Sequence, residues 1–271
     1  MTEIPNKFMQ EIQIKVLFTK LKMKRYILII LYFLIFISNS FSQKCDSLSK
    51  KAYKYYKNKE YQSAYRVYNE LLAMDSLSDK DNYFLGLVCY KKGNLRKAIS
   101  IFNRLSQKYK NDLKSRFWLA NSIFRTDSSL TNAVAQKCFA DFVNKAEKDS
   151  LKYSKMLFYG YHYLSSYYCF SKNSNYDSAI YFSKKMLTIT PSIKKNMIKG
   201  FLSLEVIYSR MKNDCLTKFY AKKALELDPE NPTPNIIINS GKNKSPINTY
   251  KSFEKTDFFN SDNRLNDDTI K

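Results

Sequence analysis

The sequence predicts an all-α protein, an α-solenoid of about five helical hairpins. Apolar residues recur at helical spacing over most of the chain, and short breaks interrupt them at regular intervals. Glycine and proline are scarce, with 5 and 6 among 271 residues, which suits helices joined by tight turns. Ala64 and Ala98 occupy equivalent positions of two successive hairpins and are 34 residues apart.

The stretch 81–109 shows one hairpin most clearly. Leu85 and Val88 belong to one helical stripe, and a second stripe that includes Phe102 follows Gly93. A glycine that ends a helix, followed by a short turn, accounts for the break between them. Each stripe also holds a small residue that lets the two helix axes approach closely; these are Gly86 and Ala98.

This hairpin resembles the tetratricopeptide repeat (TPR), a helix–turn–helix unit of about 34 residues. The resemblance is carried by Leu85, Gly86, Tyr90, Gly93, Ala98, Phe102 and Leu105. Similar units follow one another over residues 45–230, with expected bounds at 45–78, 79–112, 113–149, 150–192 and 193–230. The resemblance implies a right-handed superhelix whose stacked hairpins share one continuous core, since a lone hairpin cannot bury its apolar face.

The first three repeats differ mainly in their turns. The first has Asn58 and Lys59 at its turn, as expected for a short connection. In the third, Ala135 follows Ala98 by 37 residues, so the turn is about three residues longer than the period allows. Asp127 and Ser129 are our N-cap candidates for the helix that follows this turn.

The last two repeats depart further from the pattern. Ala179 follows Ala135 by 44 residues, and we expect part of this surplus to extend the first helix of repeat four back towards Leu151. In repeat five, Glu205 and Thr217 replace the two small residues. The helix pair there is therefore either looser or an atypical terminal repeat.

Both ends of the chain lie outside the repeats. Tyr26–Ser38 is an uncharged, nearly all apolar run that follows Lys24 and Arg25, and Ser40 and Ser42 come after it. This order is typical of a secretory signal peptide, with a cut before Gln43. We therefore expect residues 1–42 to be an N-terminal extension plus signal peptide, and the protein to be exported to the periplasm or cell surface. The alternative is an inner-membrane anchor through 26–41. Residues 231–271 are polar and rich in asparagine, which predicts a flexible tail.

The charge and the cysteines limit the function classes. The formal net charge of +22 implies attraction to anionic surfaces or partners. The basic residues are spread along the chain and form no recognisable nucleic-acid-binding module, so we expect no nucleic-acid partner. The five cysteines show no paired metal-ligand spacing, and we interpret them as small apolar core residues.

No catalytic constellation is apparent. The chain has one histidine, His162, and lacks the common nucleotide-binding, hydrolase and zinc-protease motifs. Four carboxylates on predicted helices are interpreted as solvated charges or caps; these are Glu60, Asp75, Glu205 and Glu226. We therefore expect a protein that is not an enzyme and that needs no cofactor or metal.

The TPR resemblance implies a concave groove lined by the first helix of each repeat. The residues at the groove positions are Tyr53, Tyr56, Lys57, Tyr83, Tyr90, Lys91, Phe117, Asn121, Phe124, Arg125, Tyr159 and His162. Such a groove would be aromatic and basic, and would suit a partner segment with acidic and apolar residues or a free C-terminal carboxylate. For each aromatic the competing interpretation is packing between adjacent repeats. For Lys57, Lys91 and Arg125 it is a solvated face.

We expect a non-catalytic protein–protein interaction scaffold in the bacterial envelope, which holds a protein or peptide partner in this groove. The alternative function is charge-driven binding of an anionic membrane or cell-wall polymer. Groove recognition would be specific to one partner. Charge-driven binding would be unselective and would weaken steeply with salt.

Overall fold

The computed structural model describes residues 23–26, 42–126 and 132–231. Within these ranges the protein is an all-α helical repeat of TPR type, with ten helices packed in pairs. The predicted fold class of about five helical hairpins is therefore confirmed. Residues 23–26 are helical as well. The expected signal segment beyond Tyr26, the extension 1–22 and the tail from residue 232 onwards lie outside the described residues.

The helices alternate between the first and second member of a hairpin. The described residues 42–57 form α1, which is followed by α2 (Tyr61–Ala73), α3 (Asp79–Lys91), α4 (Leu95–Lys108), α5 (Leu113–Thr126) and α6 (Ala133–Ala146). A short 3₁₀ turn, Glu147–Asp149, leads into α7 (Ser150–Phe170), α8 (Tyr176–Ile189), α9 (Lys194–Arg210) and α10 (Asp214–Leu227). The long α7 confirms that the extra residues of repeat four extend its first helix. None of the helices in the described ranges is both long and apolar enough to cross a membrane.

The chain divides into two compact units, Met1–Asp81 and Asn82–Lys271, and the division falls inside α3. In the first unit, α1 and α2 bury Ala52, Ala64, Tyr68 and Leu71. Asp81, at the end of this unit, accepts hydrogen bonds of 2.6 Å from Ser49 Oγ and from Ser78 Oγ.

Three hairpin turns share one geometry. Lys59, Gly93 and Lys212 adopt left-handed backbone conformations, with φ of 64°, 80° and 58°. At Gly93 the amide donates to the Tyr90 carbonyl, and the Asn94 amide donates to the Cys89 carbonyl at 2.8 Å. This is the Schellman pattern, which satisfies carbonyl groups left open at a helix end. The helix end expected at Gly93 and the turn expected at Lys59 are both confirmed.

Asparagines begin the second helices of the last three repeats. Asn132, Asn175 and Asn213 each accept a hydrogen bond from the backbone amide three residues later, at 2.9 to 3.1 Å. An N-cap side chain satisfies one of the amides that a helix start leaves unpaired. The prediction of Asp127 or Ser129 as the cap of α6 is therefore wrong, because the helix begins later, behind Asn132.

Close approaches join the helices of the second unit. A Cβ atom on Gly86 would lie 2.8 Å from the Phe102 ring, which shows how tightly α3 packs on α4. Ser165 Oγ donates to the Ala179 carbonyl at 3.1 Å and lies 2.7 Å from Ser183 Oγ, so small residues also meet between α7 and α8. The close helix approach predicted at Gly86 is thus confirmed.

Candidate partner-binding surface

In the first unit, the predicted groove residues of α1 are accessible. Tyr53 and Tyr56 are half-buried and stack with their ring centres 6.3 Å apart. Tyr56 also lies 6.2 Å from Tyr61, at the start of α2. Lys57 is exposed, with Nζ 5.8 Å from the Tyr53 ring centre. This end of α1 offers aromatic surface next to a positive charge.

In α3, the predicted groove tyrosines are packing residues. Tyr83 is buried and meets the Phe102 ring edge-on, with ring centres 5.9 Å apart. Tyr90 is buried against Trp118 of α5, at 5.1 Å. Both rings therefore contribute to contacts between helices, as the competing interpretation of the aromatics anticipated.

The same holds for three predicted residues of α5. The ring centre of Phe117 lies 5.3 Å from that of Phe142 in α6, and the ring centre of Phe124 lies 4.9 Å from that of Tyr163 in α7. Asn121 is only 1% exposed, and its amide nitrogen donates to the Phe117 carbonyl at 3.0 Å. Its Oδ1 receives no hydrogen bond from any described residue.

Arg125 and Lys91 remain half-exposed at the ends of their helices. Arg125 Nη1 donates to the Tyr90 carbonyl at 2.7 Å, and the guanidinium carbon lies 4.9 Å from the Tyr90 ring centre. An arginine of one repeat is thereby held over the last turn of the first helix of the preceding repeat. The carbonyl end of a helix carries partial negative charge, so a cation is favourable there.

In repeat four, Tyr159 is half-buried and His162 is buried. Burial lowers the pKa of His162 to about 3, and the positive charge of Lys199 lowers it further in the same direction. Lys199 lies on α9 and is itself buried, although long charged side chains seldom are. His162 is therefore a neutral packing residue near neutral pH.

The structure thus divides the predicted site residues into two classes. Six of them are buried in helix packing, namely Tyr83, Tyr90, Phe117, Asn121, Phe124 and His162. The other six are at least partly accessible, namely Tyr53, Tyr56, Lys57, Lys91, Arg125 and Tyr159. The accessible part is mainly basic and tyrosine-rich, and the assignment of these residues to partner binding stays a prediction.

Sequence reasoning missed Arg210. It stands at the same position of α9 as Arg125 does in α5, and its guanidinium carbon lies 4.8 Å from the Phe170 ring of α7. The two arginines thus repeat one arrangement, a cation over an aromatic side chain of the preceding first helix. The extra residues of repeat four hide this equivalence from a fixed 34-residue count. Each arginine follows a leucine of its own helix by six residues, Leu119 in α5 and Leu204 in α9, and this shared spacing would have identified Arg210.

One carboxylate contradicts its predicted role. Glu205 was expected to be a solvated charge or a cap, but it is fully buried in α9, and neither carboxyl oxygen has a hydrogen-bond partner among the described residues. Burial raises the pKa of Glu205 to about 8. Its position is the one that carries a small residue in the other repeats, and this position faces inwards whatever residue occupies it.

The five cysteines all lie in the described ranges and form no disulfide. Cys89 and Cys169 are buried as expected, and burial raises the pKa of each thiol to about 11. Cys45 and Cys138 are half-buried, and Cys215 is exposed. The interpretation as core residues is wrong for Cys215, which lies in the first turn of α10.

A family model described as "Anaphase-promoting complex, cyclosome, subunit 3" matches residues 57–133. This region covers the turn and the second helix of the first hairpin, the second hairpin and α5. No curated protein matches the chain.

Solved TPR structures resemble the chain in fold. The C-terminal part of a TPR repeat-containing protein from Cytophaga hutchinsonii is 20% identical, with a TM-score of 0.51; the match covers 58% of this chain and 60% of that structure. MamA from Desulfovibrio magneticus RS-1 is 14% identical, with a TM-score of 0.56 and coverage of 69% and 97%. YrrB, described as a TPR protein with an unusual peptide-binding site, is 16% identical, with a TM-score of 0.54 and coverage of 69% and 88%. With its paired helices and repeated hairpin turns, this chain is a TPR repeat protein in fold.

Proposed function

We propose that this protein is a non-catalytic scaffold of the bacterial envelope, which binds an acidic protein segment through cations on the first helices of its repeats. TPR proteins generally act as protein–protein interaction scaffolds and are typically non-catalytic. The peptide-binding site named for YrrB supports a peptide as the partner class. We go beyond this general role and assign the contact with the partner to particular cations of the first helices.

The arrangement at Arg125 is the observation that carries the proposal. Its guanidinium is held over Tyr90 by a hydrogen bond and a ring contact, yet the side chain stays half-exposed. Lys91 precedes Arg125 by one repeat period of 34 residues. A guanidinium held in place loses little conformational freedom when a carboxylate binds, and its planar fork matches the two carboxylate oxygens. Equivalent cations one repeat apart would favour an extended acidic segment over a single ion.

The test is a pull-down from envelope extract with the full chain, at low and at high salt. The variant Lys91→Gln with Arg125→Gln removes two cations from the proposed surface. The control Lys108→Gln with Lys137→Gln removes the same charge from exposed side chains of two second helices, α4 and α6. We expect one protein partner that persists at high salt, is retained by the control and is lost by the first variant.

The opposite result would be binding only to anionic lipid or polymer, released by salt and weakened equally in both variants. Circular dichroism of each variant must match that of the unmodified chain, since Arg125 also contributes to packing. With that check, a lost partner reports on recognition rather than on folding.

Export to the periplasm or cell surface is part of the same proposal. The apolar run from Tyr26 to Ser38, with basic residues before it and small residues after it, supports this location. Mass spectrometry of the native protein tests it. A mature chain that begins at Gln43 is the expected result. Peptides from residues 3–15 in the native protein would contradict cleavage.

A further inference from the structure

The second helices of the last two repeats carry the same local sequence. Tyr181–Leu187 in α8 reads Tyr-Phe-Ser-Lys-Lys-Met-Leu, and Phe219–Leu225 in α10 reads Phe-Tyr-Ala-Lys-Lys-Ala-Leu. Both are two aromatic residues, a small residue, two lysines, an apolar residue and leucine, in the same order. The two copies start 38 residues apart, at the same position of successive hairpins.

The inner aromatic residue of each copy is fixed by stacking on the first helix of its hairpin. The rings of Phe182 and Tyr168 are nearly parallel, with centres 5.9 Å apart and an interplanar angle of 5°. The rings of Tyr220 and Tyr208 are also parallel, with centres 5.5 Å apart and an angle of 2°. These contacts fix the rotation of α8 and α10 about their axes. Neighbouring residues on a helix point about 100° apart, so the outer aromatic residue of each copy faces away from the hairpin.

The outer rings are accordingly exposed. Tyr181 and Phe219 each keep 50% of their surface accessible. A lysine one turn later lies against each ring, with Lys185 Nζ 5.5 Å from Tyr181 and Lys223 Nζ 5.9 Å from Phe219. Each outer aromatic residue is therefore paired with a cation in the same way.

The surface around these rings is mainly basic. Lys184, Lys218 and Lys222 are exposed beside them. Lys185 and Lys223 already form ion pairs, with Glu147 at 3.3 Å and with Glu226 at 2.8 Å. The acidic residues on these two helices are Asp177, Asp214 and Glu226, so α8 and α10 together carry five lysines against three carboxylates.

The exposed aromatic position is a feature of these two hairpins alone among the five. The equivalent exposed residues are Arg66 in α2, Ser100 in α4 and Lys137 in α6. Residues at equal positions of stacked repeats lie on the same side of the stack. Tyr181 and Phe219 occupy the same position of successive hairpins, and α8 and α10 both pack on α9, so we expect the two rings on one side of this part of the protein.

We propose that Tyr181, Phe219, Lys184, Lys218 and Lys222 form a docking surface for an anionic phospholipid bilayer. Tyrosine and phenylalanine rings enter the headgroup level with their apolar part, while lysine ammonium groups contact the phosphates. Two similar clusters on successive hairpins match an extended charged surface rather than one small ligand. This surface lies on second helices and is independent of partner binding by the first helices.

The test places a tryptophan at the surface of the full chain. Tyr181→Trp and Phe219→Trp report from the proposed surface, and Leu151→Trp reports from an exposed position of α7, which is a first helix. The native Trp118 is buried and gives a constant background. Vesicles of phosphatidylcholine with brominated acyl chains, with and without phosphatidylglycerol, quench any tryptophan that reaches the lipid.

We expect quenching of the reporters at positions 181 and 219, only in vesicles that contain phosphatidylglycerol, and none at position 151. Lys184→Gln with Lys222→Gln should weaken the apparent affinity for vesicles that contain phosphatidylglycerol, by about fivefold for each lysine. Lys152→Gln with Lys155→Gln, which removes the same charge from exposed side chains of the first helix α7, should weaken it less. The proposal fails if all three reporters are quenched alike, if none is quenched, or if both pairs of lysine changes have the same effect.

Discussion

The Arg125 guanidinium donates to the Tyr90 carbonyl at 2.7 Å and lies 4.9 Å from the centre of the Tyr90 ring. The same carbonyl accepts the Gly93 amide at 3.1 Å in the turn that ends α3. One oxygen thus joins the turn of one repeat to the first helix of the next. Because repeats in a solenoid are stabilised by contacts with their neighbours, this link should contribute to the cooperativity of the second unit.

Two substitutions of Arg125 distinguish the effect of its charge on stability from the effect of its hydrogen bond and ring contact. Arg125→Gln removes both the charge and the fork, and we expect it to lower the free energy of unfolding by about 1.5–3 kcal/mol, as for a hydrogen bond to a charged group. Arg125→Lys keeps the charge but cannot hold the same hydrogen bond and ring contact, so it should lose part of this amount. Urea unfolding checks both, with the exposed Arg96→Gln as the control. Equal stability of all three variants would contradict the structural role of Arg125.

The hairpins could be predicted from the sequence because their signals are local. Gly93 ends α3 through its left-handed backbone and the hydrogen bonds of its own turn, and Gly86 and Ala98 lie within one hairpin. The contacts between hairpins have no such signal. The sequence does not tell that the Tyr90 ring meets Trp118, or that Arg125 reaches back 35 residues to a backbone carbonyl.

The lack of a sequence signal for contacts between hairpins also explains why half of the predicted groove residues are buried. Its residues were chosen by repeat position, but a tyrosine at such a position can face a partner or the next helix. Tyr83 and Tyr90 pack on neighbouring helices, whereas Lys91 and Arg125 stay accessible because long charged side chains keep their ends in water. Residue type combined with position would have separated the two classes better than position alone.

Gly86→Ala should destabilise the second hairpin. The added Cβ would lie 2.8 Å from two atoms of the Phe102 ring, and that ring is fully buried. We expect a loss of about 1–3 kcal/mol in the free energy of unfolding, typical of overpacking. The double variant Gly86→Ala with Phe102→Leu makes room for the methyl group, so its loss should be smaller than the sum of the two single losses. Additive losses in urea unfolding would show that the two residues do not touch.

His162 should make the protein less stable in acid. Its pKa is about 3 in the folded state and near 6.5 when solvated, so between these values the unfolded chain binds the extra proton. The contribution is therefore fully present above pH 6.5 and is lost as the pH falls, by at most about 1.4 kcal/mol per pH unit. Urea unfolding from pH 4 to pH 7.5 measures the slope.

His162→Gln is the matched variant for this effect. Glutamine is polar and similar in size but does not titrate, so the variant should gain stability relative to the unmodified chain as the pH falls from 6.5 to 4.5. A slope equal to that of the unmodified chain would assign the acid sensitivity to other groups.

Glu205 should make the protein less stable as the pH rises, which is the opposite of the effect of His162. Its pKa is about 8 in the folded state and about 4.5 when solvated, so between these values the folded protein holds a proton that the unfolded chain has released. The contribution is fully present below pH 4.5 and is lost as the pH rises towards 8. Between pH 6.5 and pH 8, where His162 no longer contributes to the slope, this loss amounts to about 2 kcal/mol at most.

Glu205→Gln tests this directly, since it keeps the shape and cannot ionise. Because the slopes due to His162 and Glu205 have opposite signs, they cancel between about pH 4.5 and pH 6.5, and the unmodified chain should be most stable there. The variant should keep its stability from pH 6.5 to pH 8 and exceed the unmodified chain at pH 8. A variant that loses as much stability as the unmodified chain over this range would mean that Glu205 is solvated, as the sequence first indicated, and that α9 does not bury it.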